Sequence, residues 1–244
     1  MPLVNYPEFL KMGEASYPVE YRAVLKSTSS VRIKNGVVVL KLSRYAQGRK
    51  RDEIVEKFLK WAEKRLQKVK KLDFVNPQYE DGGRIVTHNK IYELTVDVLP
   101  GVISRAVLRE GHFLKIKLNS FLSEVDCEKK IKFLTEKAII KDQTSYLIEV
   151  LQELNQLHFQ ERVNEIRFKR TNGRFGSCSS KKNINIAYRL LFAPREVFRY
   201  VCVHELAHLK EFNHSARFWQ WVENAMPNYR ESEKWLKGNG FLLG

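Results

Sequence analysis

The residues best suited to chemistry lie in one short stretch of the sequence. The chain has six histidines, and His204, His208 and His214 all fall within this stretch. On a helix, residues four positions apart share a face, so His204 and His208 can both reach one metal ion. Glu205 projects one step round the helix, where its carboxylate can contact a water without becoming a ligand. This H-E-x-x-H pattern predicts a metal-dependent hydrolase.

A catalytic zinc ion takes three protein ligands and leaves one position open. His214 supplies the third ligand if the helix ends, as expected at Asn213, and the chain turns back toward the metal. Glu223 is the alternative third ligand, although it also fits a solvated helix position. Apolar neighbours such as Val203 and Leu206 indicate a buried helix. Burying a polar group without a partner costs free energy, so the clustering of imidazole and carboxylate groups on this helix favours a bound Zn²⁺.

The elements that must position these residues predict an α+β fold. Residues 1–122 are rich in strand patterns, including two runs that flank Asn35-Gly36, a strong hairpin signal. Asp52 is a predicted N-cap for one helix in this region. From residue 123 the apolar spacing becomes helical, so we predict a helical domain over residues 123–244. Its metal-site helix is expected to begin at Pro194.

Composition limits the class of protein and its partners. The net charge of +15 is spread along the chain without a recognised base-reading motif, which predicts at most weak, non-specific nucleic acid binding. Three cysteines without paired spacing favour a reducing compartment, so a cytoplasmic location is expected. We expect no membrane association, because no apolar run approaches the ~20 residues needed to cross a bilayer. The oligomeric state stays open.

Several further segments resemble the YgjP-like metallopeptidase family. The segments that carry the likeness are Arg174–Ser179, residues 184–190 with Asn185, Tyr200–Leu209, residues 213–219, and the closing Pro227, Tyr229, Trp235 and Gly240. Phe175 stands where the family usually has tryptophan. The H-E-x-x-H-x5-H spacing also occurs in DNA-repair proteases of the SprT type. Metzincins are disfavoured, since they require glycine where this chain has Glu211.

The resemblance implies a zincin-like metallopeptidase domain with a small edge sheet. A strand of that sheet would run along the cleft above the metal helix, and a substrate peptide would pair with its edge. The predicted substrate-binding residues are Gly176, Ser177, Asn185 and Tyr229. Gly176 could instead serve only the geometry of a tight turn. Cys178 is disfavoured as a ligand or nucleophile.

The predicted activity is hydrolysis of peptide bonds in a peptide or protein substrate. Zinc would activate a water, and Glu205 would act as general base. Tyr229, Tyr188 and Arg189 are candidates for stabilising the oxyanion. Two alternatives stay open: a metal-dependent nucleoside-triphosphate pyrophosphatase, an activity ascribed to members of the family, and a DNA-associated protease of the SprT type.

Overall fold

The computed structural model describes residues 6–12, 15–34, 37–67, 77–171 and 173–243. Their strands are β1 (Phe9–Met12), β2 (Ala15–Val24), β3 (Ser30–Lys34), β4 (Val37–Ser43), β5 (Arg84–Val86), β6 (Ile91–Leu99), β7 (Arg105–Arg109), β8 (Phe113–Asn119), β9 (Glu165–Lys169), β10 (Gly176–Cys178) and β11 (Asn183–Ala187). Their α-helices are α1 (Gly48–Gln67), α2 (Glu124–Leu154), α3 (Arg195–Ala207), α4 (Ala216–Ala225) and α5 (Tyr229–Asn239). The fold is therefore mixed α and β, with several small sheets.

The chain divides into two compact units. The first comprises Met1–Asp73 with Lys234–Gly244, and the second comprises Phe74–Glu233. This division differs from the predicted boundary between residues 122 and 123. The reason is that strands β7 and β8, which precede that boundary, pack against α2, which follows it.

Among the described residues, the first unit contains a four-stranded sheet, helix α1 and the last residues of α5. The strand order is β1-β2-β4-β3, in which β2 and β4 are parallel and the other pairs are antiparallel. The predicted hairpin is confirmed in the antiparallel β3–β4 pair, while Asn35 and Gly36 themselves lie outside the described residues. Apolar residues of β4 and α1, among them Leu40 and Ala62, form the core.

Helix α1 begins earlier than the sequence predicted. Its first residue is Gly48, so Asp52 lies inside the helix and is not its N-cap. The Asp52 carboxylate instead accepts a hydrogen bond from the Tyr6 hydroxyl at 2.6 Å. A tertiary contact therefore takes the side chain that local capping was expected to use.

The second unit is organised around the long helix α2. Ser123 caps its start, with the hydroxyl accepting from the Asp126 N–H. A four-stranded sheet, β5-β6-β8-β7, packs on α2 through β7 and β8. The β5–β6 and β7–β8 pairs are antiparallel, and β6 and β8 join them in parallel. Among the helices of the described residues, none is long and apolar enough to cross a membrane.

A three-stranded sheet lies against α2 and α3 and positions the candidate site. Its order is β10-β11-β9, with β10 antiparallel and β9 parallel to the central β11. Ile184 and Ile186 of β11 are fully buried, so this face of the sheet covers the core of the unit. Within the described residues β10 is an edge strand, and it contacts α3.

Candidate metal centre

Helix α3 carries the first part of the centre because most of its side chains are buried. Pro194 stands at the N-cap position, where its missing N–H costs nothing, so the helix begins at Arg195, one residue later than predicted. Val197, Val201 and Leu206 are among the residues that the core covers. His204 and Glu205 therefore occupy the last turn of a helix that packing holds in place.

The helix ends earlier than predicted, at Ala207 and not at Asn213. His208 is its C-cap residue, with helical φ of −66° and ψ of −15°. The Leu209 N–H donates to the Leu206 carbonyl at 2.9 Å, which tightens the last turn. Because His208 keeps helical dihedral angles, it still shares a face with His204 although the regular helix has ended.

A short loop then returns His214 to the same face. Ser215 caps the following helix α4, and its hydroxyl accepts from the Phe218 N–H at 3.4 Å. The buried Phe218 ring lies 4.7 to 4.9 Å, between centroids, from all three imidazoles. Helix α4 therefore supplies both the position of His214 and an apolar surface beneath the three rings.

The three histidines form one compact set of donor atoms. One ring nitrogen from each of His204, His208 and His214 lies within 4.8 Å of the others. The Nε2 atoms of His204 and His214 are 3.1 Å apart. The Nδ1 atom of His208 lies 3.1 Å from the Glu211 carbonyl oxygen, a contact in which Nδ1–H donates and Nε2 keeps its lone pair.

The electrostatics favour imidazoles that can act as ligands. Burial, together with the neighbouring His208 and His214, lowers the pKa of His204 to about 3. Burial also lowers the pKa of His208. Neutral imidazole nitrogens are the form that binds metal, and three of them at one point fit the donor set of a catalytic zinc ion.

The Glu205 side chain is buried, and the residue directly follows His204 in the chain. Only 5% of the residue is exposed. Burial raises the pKa of its carboxyl group to about 8, although Arg174 and a hydrogen bond with the Cys178 backbone act in the opposite direction. A carboxylate whose pKa lies near neutrality is suited to accept and return a proton.

Strand β10 lies against Glu205, and this contact requires a glycine. A Cβ atom added at Gly176 would lie 2.4 Å from Glu205 Oε1 and 2.7 Å from its Cγ and Cδ. Gly176 does not have a positive φ, so it is needed here for space and not for a left-handed backbone. From the sequence, Gly176 could serve a tight turn or contact the substrate. The structure shows a third role, which is to leave space for the Glu205 side chain.

The backbone of β10 directs one set of its groups away from β11. The Phe175 carbonyl accepts from the Ala187 N–H, and the Ser179 N–H donates to the Asn183 carbonyl. In an antiparallel pair such bonds recur at alternate residues, so Gly176 and Cys178 direct their backbone groups to the other edge. The Cys178 N–H is the group that meets Glu205.

Two predicted substrate-binding residues, Ser177 and Asn185, lie on the face of the small sheet that is turned away from Glu205. They are cross-strand partners, and Asn185 Nδ2 donates to Ser177 Oγ at 3.2 Å. Tyr229 is placed elsewhere, buried and stacked on Trp219 and Tyr200 with ring centroids 5.5 and 6.2 Å away. The four predicted residues therefore do not form one surface.

The remaining sequence candidates have other surroundings. The Tyr188 hydroxyl donates to Glu136 Oε1 at 2.5 Å, and the Arg189 guanidinium stacks over the Phe175 ring at 4.1 Å. Glu223 is exposed on α4 and is not part of the histidine set. Burial, followed by the charge of Glu205, raises the pKa of the Cys178 thiol to about 11, so it is protonated at neutral pH.

Sequence reasoning missed an aromatic support behind the histidines. Tyr200 lies edge-on to His204 at 6.0 Å, and Trp219 lies 5.9 Å from His214. The helical spacing of four residues between Tyr200 and His204 could have indicated the first contact. The second depends on where α4 packs, which no local pattern shows.

Comparison with known proteins identifies the family. The family described as "YgjP-like, metallopeptidase domain" matches residues 27–239, which is most of the chain. The chain belongs to the YgjP-like metallopeptidase family. This confirms the resemblance seen in the sequence, and it makes the protein a hydrolase of the metallopeptidase class. No curated protein matches the chain.

Two solved structures are similar to part of this YgjP-like chain. One is the crystal structure of the metallopeptidase zymogen abylysin of Pyrococcus abyssi, with a TM-score of 0.35, 24% identity and coverage of 37% of this chain and 92% of abylysin. The other is the zymogen of jannalysin from Methanocaldococcus jannaschii, with a TM-score of 0.33, 23% identity and coverage of 37% and 93%.

Proposed function

We propose that this protein is a zinc peptidase in which His204, His208 and His214 hold the metal and Glu205 is the general base. The observation that carries the proposal is the meeting of three imidazole nitrogens within 4.8 Å beside a buried carboxylate. Membership of a metallopeptidase family supports the reaction class. Zinc bound there would act as a Lewis acid toward a water and the scissile carbonyl.

Glu205 performs the proton transfers in this scheme. Its carboxylate accepts a proton from the attacking water and returns it to the leaving amine. Burial supports this role, because it brings the pKa of the carboxyl group to about 8. Gly176 and the Cys178 N–H hold the carboxylate in position from the other side.

The substrate peptide pairs with the outer edge of β10. The outward-directed backbone groups of Gly176 and the carbonyl of Cys178 are suited to bind an extended chain, which would lie beside Glu205. Ser177 and Asn185 then face alternate side chains of that peptide. Tyr229 has a different role, which is to support Trp219 and, through it, His214.

The test is to compare Glu205→Gln with the parent protein on unfolded proteins and peptides, with metal content measured in both. We expect turnover to fall by roughly 10²–10⁴-fold at unchanged metal content, because the amide cannot accept the proton. Glu223→Gln makes the same chemical change at an exposed site on α4 and serves as the control.

Nucleoside triphosphates are screened in parallel, because the pyrophosphatase alternative predicts their hydrolysis. Turnover of nucleotides but of no peptide would refute the proposal. Undiminished peptide turnover by Glu205→Gln would show that another group is the base.

A further inference from the structure

A small polar pocket lies against β10, on the sheet face that carries Ser177 and Asn185. Its volume is about 280 Å³, and its walls include Lys169, Thr171 and Arg174. Gly176 contributes to the same pocket while its other side meets Glu205. The pocket is therefore separated from the proposed base by one strand.

The lining of the pocket is cationic. Lys169 and Arg174 both line it, and among the described residues no aspartate or glutamate does. The arginines on either side of Lys169 form ion pairs, Arg167 with Glu165 and Arg170 with Glu136. Within the described part of the chain Lys169 has no such carboxylate, so its charge is available to a ligand.

Neutral donors complete the pocket. Ser177 Oγ accepts from Asn185 Nδ2 at 3.2 Å, so the serine O–H is free to donate in another direction. Thr171 also lines the pocket, and its hydroxyl accepts a hydrogen bond from the Gly173 N–H at 3.4 Å. Two cations and two hydroxyl donors are suited to a carboxylate, because charge-assisted hydrogen bonds are about twice as strong as neutral ones.

A peptide on the edge of β10 would present side chains to this face. Side chains of an extended strand alternate between the two faces of a sheet. Those on one face would point toward α3 and the histidines, in the direction that a Cβ atom on Gly176 would take. Those on the other face would lie beside Ser177 and the pocket.

We propose that this pocket binds a carboxylate group of the substrate and so gives the peptidase a preference for an acidic residue near the cleaved bond. The inference rests on the proposed peptidase function. It adds a substrate class to it, and Lys169 and Arg174 are the residues that determine the specificity. A C-terminal carboxylate offers the same chemistry as an acidic side chain, and the peptides used in the test distinguish the two.

The test uses pairs of peptides that differ by Glu or Gln at single positions around the cleaved bond, each with a free or an amidated C-terminus. We expect the parent protein to cleave one carboxylate-bearing peptide with a kcat/KM about tenfold higher than its neutral partner, mostly through KM. Lys169→Gln should reduce this ratio to near one. Lys181→Gln removes an exposed positive charge outside the pocket and should keep the ratio.

A binding measurement separates this inference from the proposed function. Fluorescence anisotropy of the labelled Glu and Gln peptides on Glu205→Gln protein reports affinity without turnover. Peptide cleavage with equal rates and equal affinities for each pair would overturn the pocket and leave the peptidase intact. Preferential binding of the acidic peptide, lost in Lys169→Gln, would support the pocket even if no peptide were cleaved.

Discussion

The contact between Gly176 and Glu205 makes a methyl group the most informative change in this protein. In Gly176→Ala the new Cβ atom would lie 2.4 Å from Glu205 Oε1, whereas carbon and oxygen atoms pack at roughly 3.5 Å. The strand or the carboxylate must therefore move by about 1 Å. A misplacement of that size in a catalytic group costs on the order of 10²-fold in rate.

We expect Gly176→Ala to lower kcat/KM on peptides by about 10²-fold while the metal content of the protein stays the same. Overpacking should also reduce the free energy of unfolding by about 1–3 kcal/mol. The control is Gly173→Ala, where an added Cβ meets no atom within 4 Å and φ is not positive. It should retain nearly full activity and stability.

A double-mutant cycle isolates the contact from any other effect of the methyl group. Glu205→Ala removes all three atoms that the new Cβ would strike. Gly176→Ala should therefore cost much less stability in the Glu205→Ala background than in the parent protein. Equal costs in both backgrounds, or full peptidase activity of Gly176→Ala, would refute the reasoning.

Three further predictions concern the metal, the pH dependence of stability and the basic charge. His214→Ala should weaken zinc retention at least about 100-fold by metal analysis after chelator challenge, whereas Glu223→Ala should not; the reverse result would exchange their roles. Burial lowers the pKa of His88 from 6.5 to about 4, so only the unfolded chain takes up this proton between those pH values. The free energy of unfolding in urea should therefore fall by up to about 3 kcal/mol as the pH drops through that window, and by less in His88→Gln; equal pH dependence would contradict the assignment. Nucleic acid binding should be weak and steeply lost with salt, because the charge of +15 attracts phosphates without reading bases, and peptide cleavage should need no DNA; salt-resistant binding or DNA-dependent activity would disprove this.

The sequence by itself determined the family and the group of histidines. Helical spacing is a local property, so the four-residue step from His204 to His208 predicts a shared face whatever the rest of the chain does. The loop to His214 is short, and the three ligand atoms do meet within 4.8 Å. Their roles as zinc ligands, and that of Glu205 as base, stay predictions.

Only the tertiary structure decided what surrounds that group. Tyr188 was a plausible oxyanion donor, yet its hydroxyl is bound by Glu136 of α2, which is distant in sequence. Asp52 was a plausible cap, yet it binds Tyr6. No residue in the sequence marks the early end of α3 at Ala207 as a helix stop. His208, the next residue, still has helical dihedral angles.

The role of Gly176 shows most directly why such features are hidden from a single sequence. A glycine serves a turn, a ligand or a close contact with equal ease, and its neighbours in the chain do not distinguish them. The distinction arises where β10 passes over α3 and leaves no room for a Cβ atom beside Glu205. Residue types and spacing therefore determined which groups could do chemistry here, while packing between distant segments determined which groups hold them in place.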